Sequence, residues 1–180
     1  MKSILSKPIY IIGLFLLLGA AVSIGKYIYQ SPKFINGEKG PEFTATLLDG
    51  SPFKLSDLRG KYVILDFWGS WCGPCRVANG DLVRIYKKFN TAKFKDADGL
   101  EIISVGVEKS RESWIAAIQQ DGLVWKYHTS TVQNFDSPIA QQYGVREIPT
   151  SYLLNEKGVI IGVNYNYENL DRVLSARLAQ

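Results

Sequence analysis

The chain has 180 residues, 46% hydrophobic and 12% aromatic, enough for one domain with a substantial core. Its formal charge of +4 invites a nucleic-acid reading, but Lys2, Lys7, Lys26 and Lys33 account for all of it, and with those four set aside basic and acidic side chains balance at 17 each. No clustered basic footprint is left, so nucleic-acid binding is excluded.

No charged residue lies between Lys7 and Lys26, and residues 9–25 form a continuous apolar segment. That is a little short of the ~20 residues that span a bilayer, yet Tyr27, Tyr29 and the flanking lysines can anchor its ends at the interfaces. Two readings stand: a retained transmembrane anchor, which is preferred, and a signal peptide cleaved near Ala21-Val22-Ser23. The segment contains no cysteine, so anchoring through a lipid-modified cysteine is excluded. Both readings export the rest of the chain to the periplasm or the outer face of the membrane. A retained anchor leaves a short cytoplasmic N-terminus at 1–8, and residues 26–40, with little periodicity, read as a tether.

The domain is expected over 41–180. Phe43 to Leu48 and Pro52 to Leu55 read as two short strands around the Asp49-Gly50 turn, and residues 56–60 as a turn. Tyr62 to Trp68, apolar except for Asp66, has the pattern of a central strand buried on both faces. A helix follows from Cys72 to about Phe89, with Val77, Leu82, Ile85, Tyr86 and Phe89 near one stripe. Leu100 to Val107 is a second buried strand, and Ser110 caps a helix running through Gln120. Leu123 to Tyr127 reads as a short strand. Ser137-Pro138 opens a helix that stops near Tyr143-Gly144. Thr150 to Leu154 and Val159 to Val163 form a hairpin around Gly158, and a last helix covers about Glu168 to Leu178. The alternation of strands and helices, with an added hairpin at the start, describes an α/β sandwich on a mixed sheet.

The only two cysteines, Cys72 and Cys75, share the segment Trp71-Cys72-Gly73-Pro74-Cys75. Sulfurs at this spacing can alternate between dithiol and disulfide. A Gly-Pro spacer opening a helix leaves Cys72 near unpaired backbone N–H groups at the positive end of the macrodipole, which favours thiolate over thiol. Cys72 is the candidate nucleophile and Cys75 the resolving thiol. A structural zinc site needs four ligands, and this chain has two cysteines and one histidine; c-type haem attachment needs a histidine where Arg76 stands. No cofactor or resident metal is expected. Asp66, six residues ahead of Cys72 and flanked by Val63-Ile64-Leu65 and Phe67-Trp68, sits where burial raises a carboxyl pKa.

The run Asp66-Phe67-Trp68-Gly69-Ser70-Trp71-Cys72-Gly73-Pro74-Cys75-Arg76 resembles the active-site segment of thioredoxin, and Ile148-Pro149-Thr150 resembles its cis-proline loop. Leu55 to Tyr62, Ser110 to Trp114, Tyr143 to Arg146 and Leu153 to Gly158 are similar to the exported, membrane-anchored TlpA and ResA-like branch. The resemblance covers residues 41–178. It implies a thioredoxin-like three-layer α/β/α sandwich with an added N-terminal β-hairpin, preceded by one transmembrane helix. It also implies catalytic roles for Cys72, Cys75, Asp66 and Pro149: Asp66 takes the proton of Cys75, and a cis Pro149 sits beside Cys72 while Ile148 pairs its backbone with an extended substrate. Trp71, Gly73, Pro74 and Ile148 are the expected substrate-binding residues, and Trp68 is expected in the core.

The implied activity is reduction of protein disulfides outside the cytoplasm, with apocytochromes or copper-site proteins of respiratory assembly as clients. A transmembrane electron donor must then re-reduce the pair. Members of that branch often carry Glu and Pro in a C-x-x-C-x-x-E-x-P pattern, where this chain has Ala78 and Gly80, which leaves more of the proton handling to Asp66. The alternative reading is a copper-binding assembly chaperone using Cys72, Cys75 and His128. A peroxidase of the same fold needs Thr or Ser where Gly69 stands.

Overall fold

The computed structural model describes residues 6–31 and 33–179. Part of the expected cytoplasmic stretch, residues 1–5, lies outside them. Two compact units result, Met1–Ser31 and Pro32–Gln180. The described residues of the first form one helix, α1 (Ser6–Gln30), in which Tyr10–Gln30 is long and apolar enough to cross a membrane, with mean hydropathy 2.0. A signal sequence passes the same test. The helix runs through Lys26–Gln30, where the sequence suggested a tether, because after Pro8 in its first turn no proline follows before Pro32, which disfavours helix at the residue ahead of it.

The second unit opens with β1 (Thr44–Thr46) and β2 (Pro52–Lys54), an antiparallel hairpin shorter than expected. Gly50 takes φ +85° in the connecting turn, a backbone region that favours glycine. A 3-10 turn at Leu55–Leu58 leads into β3 (Tyr62–Trp68). Then come α2 (Gly73–Phe89), β4 (Leu100–Gly106), α3 (Arg111–Gln120), β5 (Tyr127–Thr129), α4 (Pro138–Gln142), β6 (Thr150–Leu154), β7 (Ile160–Val163) and α5 (Tyr167–Ser175). The main sheet has the order β5-β4-β3-β6-β7, with β3 parallel to β4 and antiparallel to β6. The mixed sheet and the N-terminal hairpin are as the sequence implied.

β3 is central, and all seven of its residues are buried. Successive side chains point to opposite faces, which divides the core in two. Tyr62, Ile64 and Trp68 join Leu82, Ile85 and Phe89 of α2, Trp114 of α3 and Leu170 and Leu174 of α5. Val63, Leu65 and Phe67 join Phe43 and Phe53 of the hairpin region and Ile139, Ala140 and Tyr143 at α4. The sheet is thus covered on both sides.

Three expectations need correction. Leu123 to Tyr127 is not a strand: Leu123 and Trp125 are buried by packing against the α2 side of the core, and the Leu123 N–H closes on Ile118 O at 3.0 Å. The strand is Tyr127–Thr129, paired with β4. Val77 is 79% exposed; the buried stripe of α2 is Cys75, Asn79, Leu82, Ile85 and Phe89, and Val77 lies off that 3.6-residue period. The last helix stops at Ser175 because Leu178 turns away to bridge with Phe94.

Candidate active site

β3 delivers the chain to the short segment Gly69-Ser70-Trp71, and Cys72 caps α2, its Sγ accepting a hydrogen bond from the Cys75 N–H at 3.2 Å. Pro74, in the first turn of α2, lacks an N–H that would in any case have no intrahelical partner. Cys72 and Cys75 are joined as a disulfide with their Cα atoms 5.3 Å apart. Cys72 is 5% exposed and Cys75 1%, so Cys72 is the less deeply buried of the pair.

The Ile148–Pro149 peptide bond is cis, and Cys72 Sγ lies 3.9 Å from Ile148 O. Gly73, Pro74 and Pro149 are exposed and Ile148 is partly buried. Trp71, 55% exposed, stands on the rim with its indole N–H donating to Val107 O at 2.9 Å and its ring edge-on to Phe135. A Cβ at position 69 would come within 2.8 Å of the Trp71 indole nitrogen and 3.1 Å of Ile148 Cδ1, so glycine is what lets Trp71 and the Ile148 loop close around the cysteines. Trp68 is fully buried.

Asp66 is 2% exposed and shares the face of β3 that carries Ile64 and Trp68 toward the cluster containing both cysteines. Burial alone pushes its carboxyl up to about 7, and its Oδ2 has no hydrogen-bond partner among the described residues. Register aligns it with Ser104 of β4 and Ser151 of β6. Ser104 in turn pairs with His128 of β5 and accepts a hydrogen bond from Trp125 Nε1 at 3.0 Å. A row of polar side chains therefore crosses the sheet at one level, His128, Ser104, Asp66 and Ser151, under α2 and its neighbours. An acid held near neutrality in this way is suited to taking and returning a proton.

His128 is buried against Trp125, and that burial pulls its pKa down to about 4, so the imidazole is neutral. It does not join the cysteines: among the described residues no group of three His, Cys, Asp or Glu side chains could hold a metal ion. The copper-binding alternative loses its ligand set.

Two features escaped sequence reasoning. Glu108, in the loop after β4, accepts from both the Ser70 N–H and the Ser70 hydroxyl, the latter at 3.0 Å. Burial pushes its carboxyl up, partly offset by those hydrogen bonds and by Arg76. The site thus has a second carboxylate although Ala78 provides none, so Asp66 is not the only titratable acid near the motif. Arg76 makes a two-point contact with Asp121, Nε to Oδ2 at 2.5 Å and Nη2 to Oδ1 at 2.6 Å, and Asp121 also accepts from Asn79 at 2.6 Å. Burial works against the Asp121 charge, but the hydrogen bonds from Arg76 and Asn79 outweigh it and hold the carboxyl below its usual range. This clasp ties the first turns of α2 to the end of α3. Glu108 and Asp121 are single acids in loops, and nothing in their local pattern signals a partner so far along the chain.

The model of the AhpC/TSA family matches residues 36–163. The chain is 31% identical over 151 residues to the thiol-disulfide oxidoreductase ResA of Bacillus thuringiensis, covering 81% of this chain and 82% of that one. It is 29% identical over 153 residues to ResA of Bacillus subtilis, covering 82% and 80%. Among solved structures, a thiol-disulfide oxidoreductase from Bacteroides fragilis superposes with TM-score 0.67 at 28% identity, covering 77% of this chain and 98% of the other. A disulfide-bonded C-x-x-C capping a helix on a thioredoxin-like sandwich, together with these relatives, gives the conclusion that the chain belongs to the AhpC/TSA family and within it to the ResA-like thiol-disulfide oxidoreductases.

Proposed function

We propose that this protein is a membrane-anchored reductant of protein disulfides outside the cytoplasm, with residues 9–25 in the bilayer, 26–40 as a connecting segment and 41–180 as the working domain. The observation that carries the reading is the unequal burial of the two cysteines at the start of α2, with the buried acid Asp66 facing the same side of the sheet. Cys72 thiolate attacks a client disulfide, one client sulfur leaves, and a mixed disulfide forms. Asp66 takes the proton of Cys75, whose thiolate attacks Cys72 Sγ and expels the second client sulfur. Two electrons pass from the dithiol to the client. The Gly-Pro spacer supports the reducing direction, since spacer chemistry sets thiolate stability. Trp71, Gly73, Pro74 and Ile148 form the client-facing rim, where an extended chain pairs with the Ile148 backbone beside Pro149.

Clients in cytochrome c maturation or respiratory-enzyme assembly fit this placement, and the reaction requires a transmembrane donor to restore the dithiol. Replacing Cys75→Ser removes the resolving thiol and is expected to leave clients covalently held on Cys72, recoverable with reductant. If the trapped species were absent, or equally abundant in Cys72→Ser, the assignment of nucleophile and resolving thiol would be wrong.

A further inference from the structure

Asp66 is buried, and in the proposed cycle its carboxylate must be charged when it takes the Cys75 proton. Its register partner Ser151 donates its N–H to Asn164 Oδ1 at 2.9 Å and accepts the Asn164 N–H at 2.9 Å. Asn164 takes φ +46° just after β7, and the chain turns so that the next residue, Tyr165, lies over the sheet. The Tyr165 ring comes within 3.3 Å of where a Cβ on Gly162 would be, and it packs on the cluster that holds Trp68, Cys72 and Cys75. The Tyr165 hydroxyl is sealed from solvent and, like Asp66 Oδ2, has no hydrogen-bond partner of good geometry among the described residues, although the Ser151 side chain is near enough to act on it as one. Two unpartnered polar atoms therefore belong to the same buried face of the sheet. Other atoms of Tyr165 line an open groove of about 970 Å³ shared with Asp81, Arg84, Tyr167 and Asp171.

We propose that Tyr165 is a positioning residue for the reaction: its hydroxyl donates to Asp66 when that carboxylate is charged, from the buried side of the groove between α2 and α5. The inference rests on Asp66 accepting the Cys75 proton. In the balance of the step, the proton leaves Cys75 Sγ for Asp66 as the new sulfur–sulfur bond forms and the mixed disulfide breaks. Asp66 holds that proton until the pair is re-reduced and then returns it to Cys75, Tyr165 keeps its own hydroxyl proton throughout, and the expelled client thiolate is protonated from solvent. Burial keeps the phenol protonated; Tyr167 and Asp66 act on it in the same direction, and Ser151 opposes them. Titratable and charged groups on this face include Cys72 at the cap of α2, Cys75, Asp81, Arg84 and Tyr86 within it, Tyr62 from β3, Tyr167 and Asp171 from α5 and the neutral His128 from β5. Tyr167 senses Asp66 and Asp81 together.

The test is the pH dependence of mixed-disulfide resolution in the full-length protein in detergent. It is read as release of the second thiol of a chromophoric peptide disulfide between about pH 6 and 9. A donor to the charged form lowers a carboxyl pKa, so Tyr165→Phe should move the midpoint about one unit to higher pH, slow resolution about fivefold near pH 7, and leave it close to the parent above pH 9. The carboxyl carbon of Asp66 followed by NMR should titrate with the same shift. An unchanged midpoint, slowing by one factor at every pH, or an equal shift in Tyr167→Phe overturns the inference. Asp66→Asn separates it from the reading beneath: loss of the pH dependence there with no change in Tyr165→Phe removes Tyr165 alone, whereas persistence of the pH dependence in Asp66→Asn removes both.

Discussion

The two faces of the main sheet come from the same strands and are built on opposite principles. On the hairpin and α4 face the buried hydroxyls are satisfied: Tyr143 donates to Pro41 O at 2.8 Å and Tyr152 to Tyr143 O at 3.3 Å. Phe34, Phe43, Phe53, Phe67, Tyr127, Tyr143 and Tyr152 form a chain of aromatic contacts there. On the α2 and α5 face, Asp66, Trp68, Trp114, His128 and Tyr165 each leave a buried polar atom without a partner among the described residues. An unmade buried hydrogen bond costs about 1–3 kcal/mol, so that face gives up stability. The cysteines sit on the costly face. Both sides of the sheet carry apolar core, but only the α2 and α5 side also keeps a carboxyl away from water, at a pKa raised to about 7.

This contrast can be broken from either side. On the aromatic face, Phe53→Ala, at a residue 4% exposed and 4.8 Å from the Tyr127 ring, should cost about 3–4 kcal/mol in denaturant unfolding. Disulfide reduction by the folded fraction should be unchanged, and a loss of turnover beyond the loss of folded protein would show that the two faces are not independent. On the polar face the sign reverses. A carboxyl whose folded pKa is raised from 3.8 to about 7 lowers stability progressively as pH rises between those values, because the unfolded chain ionises first. Asp66→Asn should therefore be more stable than the parent by about 4 kcal/mol at pH 8, with little difference near pH 4, while resolution at neutral pH falls about a hundredfold. Equal stability offsets at both pH values would mean that Asp66 is not held neutral by burial.

Much of this was legible in the chain, and the reasons are local. The apolar run Tyr62–Trp68, the Ser110 cap and the Asp49-Gly50 turn report on themselves, because burial on both faces, a capping oxygen and a positive φ are demands met within a few residues. The C-x-x-C at the mouth of a helix, with an acid in the strand before it, is likewise a short-range pattern. What escaped was set by distant packing. Leu123 and Trp125 look like a strand because they are apolar, but their burial comes from covering α2 and the sheet. Glu108 reaches Ser70 across 38 residues and Asp121 reaches Arg76 across 45, and neither acid is marked by its neighbours. Tyr165 becomes notable only once register sets Ser151, and so Asn164, beside Asp66.

The central claim, that the Cys72–Cys75 pair works as a reductant, is tested most directly by its potential. Equilibrating the full-length protein in detergent against mixtures of reduced and oxidised glutathione, and trapping the free thiols, should place the pair on the reducing side of the glutathione couple, with the disulfide persisting until reduced glutathione is in large excess. A midpoint on the oxidising side would contradict that claim and make the protein a donor of disulfides.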